Sequence, residues 1–134
     1  MYWTEPTASL IRWSSMDNCN PQTVPIVGGV NDPVGVALAN SKLYWAEFSG
    51  GRIKRANLNG TSAETLVTGL KAPLEVALDV DAGYMYIIDS AEDTPGYGGR
   101  IVRAPLNGGS FTTIVPNLDN PRGIALDLES DHLY

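Results

Sequence analysis

Short runs of apolar, β-branched and aromatic residues alternate along the chain with clusters of Gly, Pro, Asn and Asp. Such runs read as strands and such clusters as the turns between them. No stretch carries apolar residues at helical spacing. At Tyr2-Trp3 and Tyr44-Trp45 two large rings are adjacent in sequence. Side chains alternate across an extended backbone, so these rings face opposite sides of a sheet, and both sides must be covered. The pattern predicts an all-β chain.

The strand pattern repeats. Tyr2-Trp3-Thr4-Glu5 returns as Tyr44-Trp45-Ala46-Glu47, then as Tyr86-Ile87-Ile88-Asp89, and a last Tyr134 follows; the spacings are 42, 42 and 48 residues. Pro33-Val34-Gly35-Val36-Ala37-Leu38 keeps step with Pro73-Leu74-Glu75-Val76-Ala77-Leu78-Asp79 and Pro121-Arg122-Gly123-Ile124-Ala125-Leu126-Asp127. Gly51-Arg52-Ile53-Lys54-Arg55-Ala56 matches Gly99-Arg100-Ile101-Val102-Arg103-Ala104, with Leu10-Ile11-Arg12-Trp13 as a decayed copy. A short apolar run near 24–27, 65–67 and 113–115 closes each repeat. Asn59-Gly60 and Asn107-Gly108 carry the signature of a type I′ hairpin turn. Four strands in each repeat of this length predict β-propeller blades.

These motifs, in fixed order and three times over, resemble the YWTD repeat of the low-density-lipoprotein-receptor class (class B). The resemblance implies strands A to D running outward from a central axis and six blades in the ring. Strand A is the Pro-containing motif, B the Tyr-Trp motif, C the Ile-x-Arg motif and D the apolar run. The chain departs from the pattern at Glu5 and Glu47, where the motif has Asp, at Ile87-Ile88, and at Glu75.

Read this way, 1–134 is a single half-propeller of three blades. Two are complete, 34–67 and 74–115. The third is split: 2–27 supplies strands B to D, and 122–134 of a partner copy supplies the rest. Propellers have about four to eight blades, and an open half-ring exposes an unpaired strand and apolar faces. The expected answer is a head-to-tail homodimer closing a six-bladed ring, with Tyr2, Trp3, His132, Leu133 and Tyr134 at its seam and an interface on the order of 2,000 Å² or more.

The formal charge of −6 disfavours nucleic acid, whose phosphates demand Lys and Arg, and favours neutral or basic protein partners. No apolar run reaches the ~18 residues of a membrane span, so no membrane insertion by this chain is expected, and no signal-peptide pattern follows Met1. The resemblance implies an extracellular location. The one cysteine, Cys19, cannot form a disulfide within the chain; it reads as an inert loop thiol.

Chemistry-bearing residues are sparse. Glu5, Glu47 and Asp89 at the ends of B strands, with Arg12, Arg55 and Arg103 on C strands, recur in every repeat. Such recurrence suits a structural network of carboxylate–guanidinium pairs better than one catalytic site. His132 is the only histidine, too few for a metal cluster or a catalytic triad. No cofactor is expected; the paired glycines precede no helix that could hold a phosphate. Asn59-Gly60-Thr61 matches a glycosylation acceptor, though Asn107-Gly108 repeats the turn without it.

In a four-stranded meander the D–A and B–C connections share one face, and similar propellers commonly engage partners there. The candidate binding residues on it are Phe48, Glu75, Glu92, Asp93, Tyr97 and Arg122. Glu92, Asp93 and Tyr97 lie in the six-residue insertion of the third repeat, and functional loops arise at such places. The leading expectation is a non-catalytic protein-binding module. The alternatives are a propeller hydrolase or lyase acting on a small molecule in the central channel, and a propeller fragment with an assembly role only.

Overall fold

The structure is a computed structural model that describes residues 1–17, 20–24, 29–90, 98–130 and 132–134. It is all-β. Blade I is a three-stranded antiparallel sheet of β1 (Tyr2–Glu5), β2 (Leu10–Trp13) and β3 (Gln22–Thr23). Blade II is a four-stranded meander of β4 (Pro33–Ala39), β5 (Lys42–Glu47), β6 (Arg52–Asn57) and β7 (Glu64–Thr68). Blade III repeats it with β8 (Pro73–Asp79), β9 (Tyr84–Asp89), β10 (Gly99–Pro105) and β11 (Thr112–Leu118). A two-stranded hairpin of β12 (Leu126–Asp127) and β13 (His132–Leu133) follows. No helix among the described residues is long and apolar enough to cross a membrane.

The alternation of rings sorts the core into two layers. Leu43, Trp45 and Ala56 of blade II face Ile11 and Val24 of blade I, with Tyr2 against them. Tyr44, Ala46 and Ile53 face the other way and pack with Val76, Met85, Ile87 and Val102 of blade III. Trp45 and Tyr44 are almost wholly buried, on opposite faces of one strand. Each full burial of a side chain that large contributes roughly 2–3 kcal/mol, so the blades hold together by their faces.

The turns at Asn59-Gly60 and Asn107-Gly108 both differ from the sequence expectation of type I′, with positive φ at each glycine and at neither asparagine. At Asn59-Gly60 only Gly60 has positive φ, +84°. The loop is wider than a type I′ turn: the Asn57 N–H donates to Thr61 O at 2.9 Å, and Asn59 Oδ1 accepts from the Thr61 hydroxyl at 2.7 Å. The two-residue turn with both φ positive falls instead at Asn40 (49°) and Ser41 (58°), between β4 and β5. The last strand of blade I also shifts. It forms at Gln22–Thr23, paired with Trp13 and Arg12, and Val24 continues it with one bond to Ile11 O at 2.8 Å. Residues 25–27 of the expected strand lie outside the described residues.

At the axis the innermost strands of blades II and III run side by side, backbone against backbone. A Cβ on Gly35 would lie 2.5 Å from Leu74 O and 2.7 Å from the Glu75 Cα. Neither atom can move without shifting β8. Gly35→Ala is therefore expected to destabilise the fold by about 1–3 kcal/mol, the usual cost of overpacking, read as a lower urea midpoint with an unchanged slope.

Candidate functional site

Strand A starts and strand B ends at the same end of each blade: Pro33 pairs with Glu47, and Pro73 with Asp89. The D–A and B–C loops therefore meet there. The B-strand carboxylates are what join them. Asp89, fully buried, accepts the backbone N–H groups of Lys71 and Ala72, both at 2.8 Å, and two bonds from Arg100, at 2.9 and 2.7 Å. Glu47, also fully buried, accepts the Asn31 N–H at 3.1 Å and the Trp45 indole N–H at 3.1 Å, and pairs with Arg52; Lys54 Nζ lies 3.8 Å away. Backbone bonds reinforce the junction, from Phe48 N–H to Asp32 O (3.0 Å) and from Ser90 N–H to Ala72 O (2.9 Å). One buried carboxylate thus fixes the end of strand B, the start of strand A and the start of strand C.

The expected arginine partners need correction. Arg12 does pair with Glu5, at 2.9 Å. Arg55 and Arg103 do not meet Glu47 and Asp89. The ladder places Arg52 opposite Glu47 and Arg100 opposite Asp89, whereas Arg55 and Arg103 stand three residues on, opposite Tyr44 and Tyr86. Arg55 instead binds Glu64 of β7 at 2.7 Å and stacks over Tyr44; Arg103 stacks over Tyr84. The Gly-Arg pairs that open both C-strand motifs carried the missing signal. The same register puts Trp13, not Arg12, at the position of Arg55.

Glu5 is the exception among the carboxylates. Its side chain is 36% exposed, and β1, which carries it, pairs with β2 and with no other strand among the described residues. Arg12, and then the Trp3 indole N–H at 3.2 Å, hold its carboxyl below the ordinary value.

Three candidate binding residues can be placed on this face. Phe48 is half-buried in the β5–β6 loop, Glu75 is half-buried near the start of β8, and Arg122 is exposed ahead of β12. They share one end of the blades, Phe48 and Arg122 on two different connections and Glu75 on β8 itself. Glu92, Asp93 and Tyr97 lie outside the described residues, as does Cys19. Burial pushes the Glu75 carboxyl up from its ordinary value, and the Val76 N–H offsets this in part. His132 lies on β13, stacked at 6.2 Å on Tyr134. Among the described residues no three His, Cys, Asp or Glu side chains are placed to hold a metal ion.

Radially ordered four-stranded meanders, packed face to face around an axis lined by their first strands, define a β-propeller. No family model matches the chain. It is similar to low-density lipoprotein receptor-related protein 5 of Mus musculus, 36% identical over 96 residues, and to that of Homo sapiens with the same identity and length. Each match covers 69% of this chain, which spans 6% of the length of these curated relatives. A chain in the crystal structure of a nidogen/laminin complex superposes with a TM-score of 0.87 at 27% identity, over 98% of this chain and 50% of that one. With the repeats these matches make the chain a YWTD-repeat β-propeller.

Removing the carboxylate of Asp89 strands a half-buried arginine and two loop N–H groups. Asp89→Ala is expected to cost about 3–5 kcal/mol, measured by urea unfolding, and Asp81→Ala, on an exposed turn, less than about 0.5 kcal/mol. Glu75 gives a pH signature. Its folded carboxyl binds a proton more tightly than the unfolded one, so it lowers stability as pH rises from 4.5 through the folded value. Glu75→Gln should melt higher than the parent at pH 7, and the difference should close by about pH 4.

Proposed function

We propose that the chain is a non-enzymatic protein-binding module, working outside the cell as half of a six-bladed ring that a second copy closes, and presenting its D–A/B–C loop face to a protein ligand. The observation that carries the reading is the stitching of that face. Loops fastened by buried carboxylates form a pre-ordered platform, and pre-ordering lowers the entropic cost of association. Phe48 and Arg122 are the residue types that anchor protein interfaces, and a formal charge of −6 favours a neutral or basic ligand surface. The curated relatives are receptor-related proteins, and the similar solved chain comes from a complex of nidogen with laminin.

Ring closure by a second copy is supported by two matching edges. The axis-side edge of β1 joins no ladder among the described residues, and residues 121–124, which precede β12, join none either. The β12–β13 hairpin already has the strand A to strand B register of the other blades: Leu126 pairs with Leu133 and Asp127 with His132, as Leu78 with Met85 and Asp79 with Tyr84. Residues 121–124 would continue that strand along β1 of the second copy. Asn120, before Pro121, has φ 51°, as Asp32 before Pro33 has φ 50°; the loop is shaped to offer its N–H groups to a B-strand carboxylate, and Glu5 of the second copy is the one without a loop. Tyr134 and Tyr2 occupy equivalent positions beside Ala125, so one yields to the other when the ring closes.

The test uses the immobilised chain against an array of purified extracellular ectodomains. At least one is expected to bind, and the double variant Phe48→Ala/Arg122→Ala to weaken it by about tenfold or more, while Asp81→Ala on the opposite face leaves it unchanged. Binding untouched by the double variant, or lost equally in Asp81→Ala, overturns the choice of face.

A further inference from the structure

The junction between blades II and III is closed by a latch at its outer rim. Arg55 stacks on Tyr44 at 5.6 Å, donates to the Tyr44 hydroxyl at 3.3 Å, and crosses to blade III. There it reaches Leu106 O at 3.5 Å and Asn107 Oδ1 at 3.2 Å. Next to it the Gly109 N–H of blade III donates to Leu66 O of blade II at 3.0 Å. The Arg55 side chain is only 15% exposed, and Leu66 only 7%.

Blade III carries the same half of a latch. Tyr86 pairs with Arg103 as Tyr44 pairs with Arg55, and Ile114 takes the place of Leu66. Here, however, Arg103 is exposed, Tyr86 is half-buried and Ile114 is 37% exposed. With Leu126, Leu133 and His132 they line a cavity of about 310 Å³. Blade I carries the other half. Trp13 is the counterpart of Arg103 in the ladder register, so Ser14, Ser15, Met16 and Asp17 correspond to Ala104, Pro105, Leu106 and Asn107. Asp17, exposed on its turn, stands where blade III has the neutral Asn107.

We infer that blade III of one copy docks on blade I of a second copy as blade II docks on blade III, and that Arg103 closes the seam by donating to the Met16 carbonyl and the Asp17 carboxylate of that copy. This rests on ring closure by a second copy. The junction inside the chain joins an arginine to an amide; the junction between copies joins an arginine to a carboxylate. Charge-assisted bonds are roughly twice as strong as neutral ones, and opposite charges also set register between partners. On that reading the ion pair falls at the seam between two copies.

Sedimentation equilibrium of the purified chain tests both layers. The wild type is expected at twice its 14.4 kDa. Arg103→Asp and Asp17→Arg should each weaken the dimer by about tenfold or more, because each sets like charges together at both seams. Mixing the two variants should restore it, since every seam of the mixed dimer then joins opposite charges; the double variant in one chain should dimerise as well. Circular dichroism of each variant reports whether it is folded. A wild type of one-chain mass, or an open series of larger assemblies, overturns ring closure, and further blades of a longer chain then become the occupant of the β1 edge. A wild-type dimer that both variants match, or that mixing fails to restore, overturns the Arg103–Asp17 contact and leaves ring closure standing.

Discussion

A buried carboxylate is expensive. Taken out of water it costs several kcal/mol unless enough hydrogen bonds surround it. Glu47 and Asp89 meet that condition by drawing in every element within reach: two arginines, an indole and the N–H groups of the loop before strand A. The need to solvate one charge forces the strand-A loop, the end of strand B and the start of strand C to one place. Blade geometry at this end depends on it, and the proposed binding face is built from the same loops.

The faces of the blades obey a different constraint. Trp45 and Tyr44 are neighbours in sequence, and the pleat sends one to blade I and the other to blade III. A strand buried on both faces has no solvent side, so every residue of β5 after Lys42 is buried. Blades at the edge of the array lack one neighbour. Trp3, Tyr86 and Ile114 are more exposed than Trp45, Tyr44 and Leu66 at the same positions.

Much of this was legible in the sequence. The spacing of Tyr2, Tyr44 and Tyr86 established the repeat, and Pro33, Pro73 and Pro121 located the strands at the axis. Pairing partners were harder to read. Arg12, Arg55 and Arg103 look equivalent in an alignment of motifs, yet hydrogen-bond register decides which arginine faces a carboxylate, and a shift of one residue moves a side chain to the other face. The Asn59-Gly60 turn departs from type I′ because two further residues, Asn57 and Thr61, close it with their own bonds. Of the candidate binding residues, Glu75 was marked by standing where Gly35 and Gly123 stand. The structure adds the reason it fits: the neighbouring strand gives up a side chain at Gly35.

At the first junction Trp13 takes the place that Arg55 holds at the second. Instead of a guanidinium laced to carbonyls, the rim there has a slot of about 400 Å³ between Tyr2, Trp13, Leu58 and Asn59. At the rim, blades I and II thus meet mainly through rings and aliphatic surface, with one bond from the Tyr2 hydroxyl to Leu58 O at 3.5 Å, and blades II and III through the arginine's polar bonds. These three units share a backbone plan but have ceased to be interchangeable. Each rim carries its own set of contacts, so the junctions differ from one another, and a chain assembled by copying a single blade would lose those differences.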